Sequence, residues 1–140
     1  MTMDKLETMI DLCSTHLKAG NNYMQINNYK SAIQEFTKVI ELLPEFIDLA
    51  VEINKSNAPS ELKESIFINI RVNAQTAYMG RAMSYLAIGE EDKAKADRDM
   101  ADKIKNKTSL EEIKSELTGG GWAGCITIIV IIFLIYMFLQ

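Results

Sequence analysis

Residues 13–46 read CSTHLKAGNNYMQINNYKSAIQEFTKVIELLPEF, and the spacing of apolar and small residues within this stretch decides the fold class. From Ile33 through Phe36, Val39 and Ile40 to Leu43 an apolar residue returns every three or four positions, the period of one helical face. Asn27-Asn28 precede that run as a turn and N-cap, because a short amide side chain accepts a hydrogen bond from a free N–H of the first helical turn. Upstream, Leu6, Met9, Ile10, Cys13 and Leu17 keep the same period. Gly20 to Asn22 allow some loosening before this first helix ends near Met24. Pro44 predicts a break at the end of the second helix, since proline has no N–H to donate and its ring crowds the preceding turn.

Beyond Pro44 the pattern stays helical. Phe46, Ile47, Leu49, Ala50, Val51 and Ile53 predict a third, short apolar segment that ends near Asn54 to Asn57. Ser60 then reads as a cap, with Glu61 and Glu64 suitably placed for the positive end of a helix dipole. Residues 60–88 predict one long helix, or two with a bend, since Gly80 inside it costs only about 1 kcal/mol. Gly89 is a turn. Glu90-Glu91-Asp92 open a further helix to about Asn106, and Ser109 caps a short amphipathic segment carrying Leu110, Ile113 and Leu117. Gly119-Gly120-Gly121 read as a hinge. No β alternation of useful length occurs before the last segment, so an all-α fold is expected.

Residues 122–139 are a continuous apolar run with no charge, followed by Gln140. As a helix they would rise roughly 27 Å, near the thickness of a bilayer's hydrocarbon core. Trp122 and Tyr136 lie near its ends, where amphipathic rings favour an interface, and Ile126, Ile129 and Phe133 lie between them. A membrane anchor is expected here. The expected organisation is thus a helical domain at 1–107, a juxtamembrane amphipathic segment and glycine hinge at 108–121, and a transmembrane helix at 122–139. Anchored so late in the chain, a single-pass protein would hold its N-terminal domain in the cytosol and touch membrane lipid through the C-terminal helix. The endoplasmic reticulum, the mitochondrial outer membrane and a bacterial plasma membrane all remain open.

The composition excludes several classes of function. The net charge is −4, and acidic and basic residues are interleaved, so no nucleic-acid stripe is present. Cys13 and Cys125 sit in settings too different for a disulfide or metal pair. The one histidine, His16, lacks partners at metal-ligand or general-base spacing and reads as a half-buried packing residue. Asp92, Asp97, Asp99 and Asp102 are interwoven with Lys93, Lys95 and Arg98, the look of a solvated helix face rather than a calcium loop. Neither an enzyme, a cofactor nor a metal site is expected.

Two stretches share an arrangement. Gly20, Tyr23, Ala32, Phe36, Val39 and Pro44 stand at fixed offsets, and Ala82, Tyr85, Ala94 and Ala101 repeat the first, second, third and fifth of them 62 residues later. Small residues at those places let two paired helices approach closely while aromatic rings fill the space beside them. This pattern resembles the tetratricopeptide repeat, over 13–46 and more weakly over 75–105. Three departures are plain: His16 stands where a large aromatic is usual, Arg98 stands where the first copy has Phe36, and the second copy has no closing proline. Residues 46–74 between the copies read as a degenerate middle repeat or an insertion.

The resemblance implies an antiparallel helix-turn-helix bundle that binds a protein or peptide in a concave groove rather than performing chemistry. Leu17 and Gly80 stand where the carboxylate-clamp subgroup carries lysine and asparagine, which argues against that subgroup. The expected groove residues are Asn21, Asn22, Tyr23, Gln25 and Ile26 near the first pair, with Asn69, Arg71, Asn73, Gln75, Tyr78 and Arg81 on the long helix. Tyr23, Tyr78 and Tyr85 read first as core and second as groove, while Asn73 and Arg81 admit both readings equally. The function expected is a membrane-tethered adaptor that recruits a cytosolic protein or peptide. The alternatives are a structural accessory subunit of a membrane complex, or an adaptor of the mitochondrial fission or import type.

Overall fold

Within residues 2–119 five helices follow one another: α1 (Thr2–Gln25), α2 (Tyr29–Lys55), α3 (Ser60–Ala87), α4 (Glu91–Lys105) and α5 (Leu110–Leu117). The computed structural model describes residues 2–119 and 132–137, and no strand occurs among them. The all-α expectation holds. Connections of three or four residues turn each helix back on its predecessor, as short links between packed helices must. α2 lies between α1 and α3, α4 packs on the far half of α3, and α5 rests on α2 and α4.

The turn chemistry explains where helices begin. Asn27 adopts φ 59°, a left-handed conformation that asparagine tolerates, and the Asn28 side chain caps α2 by accepting from the Ser31 N–H at 3.3 Å. Gly89 supplies the positive φ that closes α3. Ser109 caps α5 by accepting from the Glu112 N–H, while the Glu112 carboxylate accepts from the Thr108 N–H. Ser60 is different: it is the first residue of α3, and Pro59 occupies the cap position.

Pro44 does not break the second helix, which runs through it for 27 residues to Lys55. The expected short third segment is simply the distal half of α2. Pro44 is on the exposed side, so the carbonyl it leaves without a donor can be hydrated. Around it Leu43, Phe46, Ile47, Leu49 and Ala50 are buried. A proline inside a helix costs about 3 kcal/mol, and each large side chain buried by keeping the helix straight offsets roughly 1.5–3 kcal/mol. Residues 46–74 comprise the distal half of α2, the connecting turn and the first half of α3.

Phe36 is fully buried between α1 and α3. An added methyl at Gly20 of α1 would lie 2.7 Å from the Phe36 ring, and one at Gly80 of α3 would lie 2.5 Å from it. The ring is a wedge gripped by two helices that present bare backbone to it. In the second stretch Ala82, Ala94 and Ala101 are buried where α3 meets α4, whereas Arg98, standing in place of a second ring, is exposed.

The expected transmembrane helix is overturned. Among the described residues no helix is long and apolar enough to cross a membrane, so the fold class reduces to an all-α bundle, and a single-pass membrane location is not supported. Within the expected anchor the described helical stretch covers only 132–137. Phe133 and Tyr136 belong to it; Trp122, Ile126 and Ile129 lie outside the described residues, as do Gly120 and Gly121 of the expected hinge.

Candidate protein-binding groove

α3 is apolar on two faces. Its inner face, Ile66, Ile70, Ala74, Ala77 and Ala82, is buried against the bundle. Its outer face carries Ile68, Val72, Met79, Met83 and Leu86, all exposed, at the four- and seven-residue spacings that align side chains along one helix. A groove of about 540 Å³ lies along this outer face. Val72, Met79 and Met83 form its floor, Asn21 and Met24 of α1 stand on one side, and Ala101, Asp102 and Lys105 of α4 stand on the other. Gln75 and Thr76 supply amide and hydroxyl groups partway along.

A larger hollow of about 830 Å³ opens at the end of the bundle among Thr2, Met3, Ile53, Ser56, Ala58 and Leu62. Helix ends and a connecting turn form it, and such backbone is the first to open. The groove on α3 runs along the middle of that helix and is walled by the C-terminal turns of α1 and α4.

Of the residues expected to line a groove, the structure brings Asn21 and Gln75 into this one; Asn22 and Gln25 are exposed on α1 outside it. The Asn73 side chain donates to the Asn69 side chain at 2.6 Å, one turn away, so these amides satisfy each other. Tyr78 is buried, and burial pushes its phenol up while the charge of Arg81 pulls it down.

Arg81 is not available to a ligand. Its Nε and Nη2 donate to the two carboxylate oxygens of Asp97, each at 2.7 Å, and its Nη1 donates to Thr37 Oγ1 at 3.2 Å. The side chains are 18% and 8% exposed. Tyr78 and Tyr85 each present a ring to the guanidinium within 6 Å. Burial opposes the charged form, but the Asp97 hydrogen bonds and charge, with the two tyrosines, hold Arg81 above its ordinary value. The expected groove arginine is thus a tie between α3, α4 and α2.

No family model matches the chain, and neither a curated protein nor a solved structure matches it.

The groove-lining residues missed from sequence are Met24, Val72, Met79 and Met83. A signal existed: α3 has apolar residues at helical spacing on both sides, more than one core face needs. Polar groups drew attention instead because they carry recognisable chemistry.

Among the described residues no group of three or more His, Cys, Asp or Glu could hold a metal ion. Cys13 is fully buried, and its thiol is pushed up to about 11 by that burial. His16 is half-buried with Nδ1 at 2.6 Å from Glu35 Oε2, and Lys38 donates to the other carboxylate oxygen at 2.8 Å.

The Lys38 hydrogen bond, followed by that of His16 and the charges of both, holds Glu35 below its ordinary 4.5 against an opposing effect of burial. A depressed carboxylate binds fewer protons folded than unfolded, so its stabilisation is present above about pH 4.5 and is lost as pH falls through the folded value. The stability difference between wild type and Glu35→Gln, measured by urea unfolding, is expected to shrink from pH 6 to pH 3.5. A difference that stays constant over that interval would exclude this linkage.

Proposed function

We propose that this chain is a tetratricopeptide-repeat-like interaction module that docks an amphipathic helix of a partner protein in the groove formed by α1, α3 and α4. The observation that carries this reading is the exposed apolar stripe on α3, which runs along a groove with polar walls. Apolar side chains spaced four and seven residues apart match the facing stripe of a partner helix. Methionines suit such a floor because their unbranched side chains adapt to differently shaped partners. The close packing of α1, α2 and α3 through Gly20, Phe36 and Gly80 supports the repeat-like part of the reading.

Fully burying one such side chain is worth roughly 1.5–3 kcal/mol, or about tenfold or more in affinity. A photo-crosslinking amino acid placed at Met83 in the full-length chain, in its native cells, is expected to capture a defined partner. Met79→Asp in the same chain should reduce that capture at least tenfold, because it puts a charge on the floor. Asn73→Ala, at an amide already paired with Asn69, should leave capture unchanged. Capture indifferent to Met79→Asp would sink the proposal.

A further inference from the structure

Two apolar surfaces of this one chain are left uncovered. On α3 the exposed stripe extends from Ile68 to Leu86, a rise of roughly 27 Å. In the C-terminal sequence, residues 132–137 are helical, and each is more than half exposed, Phe133 and Tyr136 at 62%. The surrounding sequence, 122–139, contains no charged residue, and as a helix it too would rise roughly 27 Å. Contiguous apolar surface on this scale marks an interaction site.

The place where the chain leaves α5 brings these surfaces within reach. The Glu116 carboxylate is 3.0 Å from the Lys107 ammonium and 3.9 Å from that of Lys103. Lys103 and Lys107 bracket Lys105, which with Asp102 walls the groove beside Val72. The end of α5 therefore lies across α4 from the Val72 end of the groove. Three glycines follow at 119–121. Extended, they reach about 10 Å, the width of one helix.

We propose that the C-terminal apolar segment of the same chain, residues 122–139, occupies this groove in cis, and that a partner helix must displace it. The proposal rests on the reading of the groove as a helix-docking surface, though not on any particular partner. Among the described residues, 132–137 and the α3 stripe are both exposed. Tethering gives the segment an effective concentration of about 1 mM. An intrinsic affinity of about 10 µM would then fill the groove about 99% of the time and weaken a partner's apparent affinity about 100-fold.

Cys125 lies in the segment and supplies a native reporter thiol, while Cys13 is fully buried and does not compete. Full-length chains carrying Val72→Cys, at the near end of the stripe, or Leu86→Cys, at the far end, are mildly oxidised in detergent-free buffer. Glu41→Cys, at an exposed position on α2, serves as the control. All three positions are exposed, and retained helicity by circular dichroism checks folding. An intramolecular disulfide to Cys125 is expected to form in Val72→Cys at least tenfold faster than in Glu41→Cys. A fast link in Leu86→Cys instead would overturn the proposal, because the glycines cannot carry Cys125 to that end of the groove.

Links no faster than the control, or links between chains only, would overturn it. If linking fails while the Met83 crosslinker still captures a partner, docking of the segment falls and the groove reading stands. If linking succeeds without partner capture, docking in cis stands and the recruiting reading falls.

Discussion

Phe36→Ala is expected to destabilise the bundle by about 3–5 kcal/mol, the range for removing a buried ring and leaving its cavity. The whole stability of a domain this size is about 5–15 kcal/mol, so the variant should be close to unfolding at ordinary temperature. The effect belongs at the upper end because the ring touches both α1 and α3, and its loss loosens two helix contacts together. The same geometry predicts the opposite insult. Gly80→Ala gains about 1 kcal/mol in helix propensity, but its methyl would lie 2.5 Å from the ring, and the ring cannot retreat without pressing on Gly20. Overpacking of this kind costs roughly 1–3 kcal/mol. Combining Gly80→Ala with Phe36→Leu should recover part of the loss relative to the sum of the single variants. Urea unfolding of the four proteins measures this coupling; strict additivity would show that the ring is not a shared wedge.

Asp97→Ala is expected to cost about 3 kcal/mol, because it leaves the guanidinium of Arg81 largely buried without its carboxylate. The reciprocal Arg81→Met is expected to cost a similar amount, since it leaves the Asp97 carboxylate, 8% exposed, without its guanidinium. The double variant Arg81→Met/Asp97→Leu, with no charge left to desolvate, should approach wild-type stability. Its groove should also still capture a partner at Met83, because Arg81 ties helices together and does not line the groove. Loss of capture in a stably folded double variant would return Arg81 to the binding surface. A midpoint for Asp97→Ala within the range of ordinary surface substitutions would show that the pair is effectively solvated.

The division between what was readable and what was not follows from the reach of each signal. Helical period, the Asn28 and Ser109 caps and the Gly89 turn depend on residues within a few positions of one another. All were legible in the sequence, as was the pairing of small and aromatic residues that foretold close helix contacts. Pro44 misled because its local penalty is real, yet it is outweighed by side chains whose burial depends on α1 and α3. The apolar run at 122–139 misled in a different way: hydropathy measures how much a segment prefers to leave water and does not specify what covers it.

The candidate groove shows the same division at the level of single side chains. Asn21, Asn69, Asn73, Tyr78 and Arg81 were sound choices by chemistry, and only the first lines the groove. Asn69 and Asn73 lie one turn apart, so their pairing is a local event that periodicity could have revealed. The partners of Arg81 are 16 and 44 residues away, and no local pattern reports them. Sequence periodicity decided that this chain is a succession of helices joined by short turns. Tertiary packing decided which side of α3 was buried, which polar groups were consumed inside the bundle, and where apolar surface was left over, because those outcomes depend on distances between residues far apart in the chain.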